Sequence, residues 1–253
     1  MIMKLLNKFK NIFVKSKPEI IWWSTIPNLE KIHPLQRSNN HIPQWFKNTS
    51  INIENEITYS NVKKCPSFPL YFSRGWIITL WCDLLLEKDE LGKITWTSPS
   101  DNFQFDFHTD NQFKDYLPDN IRKEIACIVK PICPWKVKTS KDWYMLQLPL
   151  FYEFQQNFSL IPGIFPSDIY HQTNQQIIVY KSAFKDGNRI MIPKGTPLAQ
   201  YIPIPKKDIK GIVTEETEEL KDSEDTSQLL ISTIFRNRFN NLKKCPYVHD
   251  KEK

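Results

Sequence analysis

The stretch Asn102-Phe-Gln-Phe-Asp-Phe-His108 alternates apolar and polar residues without a break. Successive side chains of a strand point to opposite faces. Phe103, Phe105 and Phe107 therefore share one face, and Gln104, Asp106 and His108 the other. Working outward, β patterning runs from about residue 52 to residue 205. Ile57–Val62 and Trp76–Leu86 read as strands, the second too long and apolar for a sheet edge. Lys93–Trp96 follows the turn at Gly92. Further strands are expected at Trp135–Lys138, Trp143–Pro149, Phe158–Phe165, Gln176–Ala183, Arg189–Ile192 and Ala199–Ile204. Asn120–Val129 reads as a short helix with Asn120 as its N-cap. Many short strands separated by turn signals indicate an all-β sandwich, barrel or related fold.

Composition agrees. Eighteen Pro stand against six Gly in 253 residues. Proline is excluded from helix interiors and central strands, so this ratio argues against long helices and against a βαβ repeat. Hydrophobic residues make up 40% and aromatics 13%, enough for a substantial core. Upstream, Glu19–Pro27 (EIIWWSTIP) reads as a strand, with Ile20 to Trp23 as a buried apolar run. His41–Lys47 (HIPQWFK) reads as an anchored turn.

The ends differ from this middle. Residues 1–17 carry lysines and no acid. Ile2, Leu5, Leu6, Phe9, Ile12 and Phe13 repeat at helical spacing, so a basic amphipathic helix is expected there. It either packs on the domain or a partner subunit, or lies on an anionic surface. A single β domain is expected over 19–205, a charged linker over 206–228, and a terminal helix and tail over 229–253. The net charge of +6 is mild. Five scattered cysteines with no CxxC signal neither a zinc site nor a disulfide framework, and fit a reducing cytoplasmic setting. No apolar run approaches the ~18 residues of a membrane span, and no secretory signal is visible.

Two constellations bear on chemistry. His108-Thr-Asp110 is an HxD pair. With His171 as a second imidazole it would form the facial triad of a non-haem Fe(II) oxygenase, and Lys181 would pair with a carboxylate of 2-oxoglutarate. The competing reading puts His108 and Asp110 at a strand end or in a polar loop. The second is the run from Arg189 to Pro203 (RIMIPKGTPLAQYIP), a hairpin in which Gly195 supplies a left-handed turn and Gln200 reaches a backbone group inside the fold. Trp81, Trp96, Trp135 and Trp143 suit either a base-stacking platform or core packing. Ser167 and Ser182 lack a nucleophile-elbow context, and six glycines leave little room for a phosphate-binding loop.

Residues 40–205 resemble the domain of unknown function 6065, a family of tailed phages and bacteria. The matching pieces are VKKCPSF (62–68), GWIITLWCDLLLE (75–87), PWKVKTSKDWYMLQLPL (134–150), PGIFPSDIY (162–170) and IPKGTPLAQYIPI (192–204). That resemblance implies a phage-type accessory protein without an assigned activity. The order of motifs is also similar to that of trimeric dUTPases, through Gly163-Ile-Phe-Pro-Ser-Asp-Ile-Tyr170 and Gly195-Thr-Pro-Leu-Ala-Gln200. This second resemblance implies a β-clip or jelly-roll-like distorted barrel and a homo-oligomer. It also marks Asp168, Tyr170 and Gln200, beside Lys181, as candidate ligand-binding positions. Two departures count against nucleotide hydrolysis. Pro166 stands where that family has its water-activating Asp, and Pro149-Leu-Phe-Tyr152 replaces its phosphate-binding segment. The leading expectation is a non-catalytic binding or assembly domain. The alternatives are an Fe(II)/2-oxoglutarate oxygenase and a nucleotide-binding relative of dUTPase.

Overall fold

The computed structural model describes residues 19–50, 62–65, 67–153, 157–224 and 226. The helix expected over 2–14, most of the strand expected over Ile57–Val62, and the helix and tail expected over 229–253 lie outside them. The chain divides into two compact units, Met1–Pro43 with Ser73–Lys207, and Gln44–Phe72 with Asp208–Lys253. In the second, the helices Gln44–Asn48 and Ser67–Phe72 join through Phe46, which stacks on Phe68 at 5.9 Å and meets Phe72 edge-on at 5.0 Å.

The first unit holds every described strand. In chain order these are β1 (Ile20–Ser24), β2 (Gln36–Arg37), β3 (Trp76–Thr79), β4 (Leu84–Lys88), β5 (Ile94–Thr97), β6 (Phe105–His108) and β7 (Ile125–Pro131). They continue with β8 (Trp135–Thr139), β9 (Trp143–Leu148), β10 (Phe158–Leu160), β11 (Gly163–Phe165), β12 (Ile177–Tyr180), β13 (Arg189–Ile192) and β14 (Pro197–Pro205). They form sheets of order β1-β8, β10-β12-β7-β6, β11-β9-β14-β3-β2 and β13-β4-β5, with every pair antiparallel. The fold is mostly β, as the alternation requires, but the described strands do not close into a barrel.

Three expected elements change for local reasons. The apolar run Trp76–Leu86 is two strands in two sheets. Between them Leu80 bonds out of line, its N–H to Thr196 O and its carbonyl to Gly195 N–H, and Asp83 Oδ1 accepts the Lys194 N–H at 2.6 Å. Phe158–Phe165 is likewise split, before Pro162, into β10 and β11. The helix expected over Asn120–Val129 stops at Arg122, and its N-cap is Pro118. From Ile125 the chain is β7, where Ile125, Ile128, Val129 and Pro131 are buried between β6 and β12.

One core serves all four sheets. Leu80, Leu84, Leu86, Val129, Trp135, Val137, Met145, Ile177, Val179, Ala199 and Tyr201 belong to it. Of the three prolines in β14, Pro203 and Pro205 sit along its pairing with β9 at no cost to the ladder. Lys206 N–H bonds Asp142 O, so alternate residues of β14 bond β9. Pro203 and Pro205 are the intervening residues, and their missing N–H groups face away, beyond the last β3 partner of β14, Tyr201.

Candidate functional site

Catalytic chemistry would need polar or titratable side chains with free capacity. Around Tyr201 the buried ones are occupied by one another. Tyr201, fully buried on β14, donates its hydroxyl toward Gln147 Oε1 (2.6 Å) and Thr173 O (2.9 Å), and accepts from Gln175 Nε2 (2.9 Å). Gln175 also bonds Thr173 O, Gln147 Nε2 donates to Ile161 O, and Thr173 Oγ1 donates to Trp135 O. The network ties β9, β14 and the segment before β12 together inside an apolar shell, where satisfied polar groups fix one packing. Burial pushes the Tyr201 hydroxyl well above the usual tyrosine range.

The nucleophile candidates are no freer. Ser167 is fully buried, with its Oγ 2.7 Å from Thr139 Oγ1. The nearby His171 meets the Ser167 carbonyl through Nδ1 at 2.9 Å, not its hydroxyl, so these two residues do not form a nucleophile–base pair. Burial raises the Cys133 thiol and pushes Cys127 up to about 12, the opposite of an activated thiolate. His33 Nε2 lies 2.8 Å from Thr79 Oγ1, both residues buried, and desolvation lowers the imidazole below its ordinary range.

The candidate ligands fall as follows. His108 ends β6 opposite Ile128, with Nε2 buried and unpartnered. Asp110 opens a 3₁₀ turn and pairs with Lys114 at 2.9 Å. His171 lies elsewhere, its ring 5.5 Å from that of Trp23. Among the described residues no three His, Cys, Asp or Glu side chains are placed to hold one metal ion, so the expected His108, Asp110 and His171 triad does not assemble. The physical reason is topological. His108 is on the β6 edge of one sheet, while the His171 backbone follows β8, its carbonyl accepting the Val137 N–H. Lys181 begins a 3₁₀ turn with its side chain exposed. Asp168 accepts Lys206 Nζ at 2.7 Å, and this hydrogen bond holds its carboxyl below the usual range. Tyr170 is half-exposed, edge-on to Phe165 at 5.9 Å. Gln200 behaves as its sequence context suggested, donating to Arg74 O at 2.7 Å inside the fold. Trp135 is core, and Trp81 and Trp96 pack on Phe103, so none of these three stands as a free stacking platform.

The strand expected at Glu19–Pro27 is β1, and what the sequence reading missed is its outward face. Ile20 to Trp23 read as uniformly buried, yet only Ile20 and Trp22 face inward. Trp22 packs on Trp76 at 5.7 Å and edge-on to Tyr201 at 5.9 Å. Ile21 and Trp23 face out, 52% and 38% exposed. Opposite them on β8 stand Lys138 and Lys136. The His171 ring meets Trp23 on this face, and it follows a turn in which Ile169 and Tyr170 are exposed and donate their N–H groups to Pro166 O. The result is an exposed apolar and aromatic patch edged by lysines. The visible signal lay in β8, whose alternation Trp135-Lys-Val-Lys-Thr139 puts lysines on the face that β1 shares.

No family model matches the chain, and no curated protein matches it. The resemblance to the domain of unknown function 6065 therefore gains no support. Among solved structures, the native EIAV dUTPase is similar over 79% of this chain and 99% of its own, at 7% identity and a TM-score of 0.34. A point mutant of the dUTPase from phage phi11 of S. aureus is similar over the same shares, at 10% identity and a TM-score of 0.34. Likenesses this loose carry no functional assignment. No described helix is long and apolar enough to cross a membrane.

Proposed function

We propose that this chain is a non-catalytic binding and assembly protein that forms a homo-oligomer, with the outward face of β1 and β8 as its working surface. The observation that carries the reading is the exposure of Ile21 and Trp23 side by side on one strand, continued by the His171 ring. A large exposed apolar cluster rimmed by polar groups marks an interaction site, and tryptophan is the commonest anchor of such sites. The groups around Tyr201 and Ser167 support the same reading, since they are satisfied by one another within the core.

The test is light scattering behind size exclusion, on the full chain and on Trp23→Ser. The wild type runs as an oligomer. The variant runs as a monomer with an unchanged far-UV spectrum, because Trp23 lies on the outward face. Identical masses for the two would contradict the assignment of this surface.

A further inference from the structure

We infer that two copies of this chain pair antiparallel along the free edge of β1, with a twofold axis at Trp22, joining their two-stranded sheets into one of four strands. The inference rests on the self-assembly reading above and names its contact.

The first argument is the edge itself. β1 bonds β8 on one side, and among the described residues no strand lies on the other. The Thr25 N–H to Pro134 O bond sets the alternation. Ile21 and Trp23 bond inward to β8, which leaves the N–H and C=O groups of Ile20, Trp22 and Ser24 directed at the open edge. Proteins that stay monomeric blunt such edges with charge, proline, bulges or short length. β1 has five residues, IIWWS, with no charge, no proline and an unbroken register. Other described edges are blunted: β2, β10 and β11 are short, β6 carries Asp106, β13 carries Arg189, and β8 carries Lys136 and Lys138 and is met on its outer side by His171 and Gln172. β5 is also uncharged, but its outward residues are Thr95 and Thr97 rather than Ile and Trp.

The second argument is that the edge is self-complementary. With the axis at Trp22, the open-edge groups of Ile20, Trp22 and Ser24 meet those of the partner's Ser24, Trp22 and Ile20. About six backbone hydrogen bonds result. Ile21 then stands opposite the partner's Trp23 at a non-hydrogen-bonded position, where Cα atoms approach to about 4.5 Å. An aromatic against a β-branched residue is a favourable cross-strand pair, and here it occurs twice by symmetry. The exposed Ile21 and Trp23 cover one another. The lysines of β8 end up about 14 Å from those of the partner's β8, three strand spacings away, so like charges are not opposed.

The experiment reads register directly. Ile21→Cys and Trp23→Cys are made separately in the full chain, oxidised alone and mixed, and run on non-reducing gels beside the wild type, whose own cysteines set the background. Opposed positions in this register fall within disulfide reach, whereas a residue and its own symmetry mate do not. The mixture cross-links and each variant alone stays at background. Glu19→Cys mixed with Thr25→Cys repeats the test with Trp23 intact, since both positions are exposed and oppose each other in the same register. A monomeric wild type at every concentration would overturn both the pairing and the self-assembly reading. An oligomeric wild type with neither mixture cross-linking would overturn the β1 pairing alone. Oligomer that disappears when residues 1–17 are removed, again without cross-links, would overturn the pairing in favour of that segment as the occupant.

Discussion

Replacing Tyr201 by Phe removes one oxygen from the middle of the core and leaves the ring's packing intact. That oxygen meets Gln147 Oε1, Thr173 O and Gln175 Nε2 at 2.6 to 2.9 Å, with Tyr201 fully buried. Thr173 O keeps the Gln175 side chain as a donor. Gln147 Oε1 loses the hydroxyl and is stranded where water does not reach. A buried acceptor left unpaired costs roughly 1–3 kcal/mol, and the lost bond from Gln175 adds about 0.5–1.5 kcal/mol. A total near 2–3 kcal/mol lowers Tm by about 4–12 °C for a domain of this size. Urea unfolding followed by tryptophan fluorescence measures the change, and an unaltered slope shows that the unfolded reference is the same. Oligomeric mass stays as in the wild type, because the network does not touch the β1 face. A loss under about 0.5 kcal/mol, or a change in mass at equal stability, would refute the claim that this network is scaffold.

Further outcomes follow from the same geometry. Gly75→Ala loses about 2–5 kcal/mol in the same assay, because a Cβ there would sit 1.9 Å from Tyr201 O on a backbone with φ of +76°; a neutral effect would mean that β3 and β14 pair differently. The lowered His33 imidazole makes stability depend on acid: its folded pKa lies below the unfolded value near 6.5, so the unfolded chain takes up the proton first. Stability contributed by the neutral imidazole is therefore complete above that value and falls with pH below it, down to the folded pKa. Thermal melts from pH 7.5 to 5 should show a slope that His33→Gln flattens, and equal slopes in both proteins would disprove the assignment. Deoxynucleoside triphosphates, and Fe(II) with 2-oxoglutarate, leave Tm unchanged. A ligand at a hundred times its Kd would add about 2.7 kcal/mol, so a rise of several degrees with either would restore that alternative.

Local patterning made much of the β unit legible. The alternation at Asn102–His108 placed β6 and its faces, and the left-handed turn at Gly195 and the inward Gln200 were readable from small and turn-forming residues; the hairpin expected there does not form, because β13 pairs with β4 and β14 with β3 and β9 in another sheet. What escaped depends on contacts distant in sequence. Nothing within the run Trp76–Leu86 shows that Leu80 is held by Gly195 and Thr196. Nothing in the sequence marks Gln147, Thr173 and Gln175, and only the arrival of Tyr201 from β14 makes them a network. The HxD pair was legible as a motif, but its chemistry needed a second histidine that the topology puts in the segment beside β8. The candidate surface was hidden for a simpler reason. In a continuous apolar run such as Ile20–Trp23, period gives no sign of which face meets the core, and only pairing with β8 decides it.

Sedimentation equilibrium of the full wild-type chain over a wide concentration range tests the central claim most directly. The account predicts a mass that climbs from 30.1 kDa toward twice that value, and that stays at 30.1 kDa when Ile21 and Trp23 are both replaced by Ser. A single species of 30.1 kDa throughout for the wild type would contradict it.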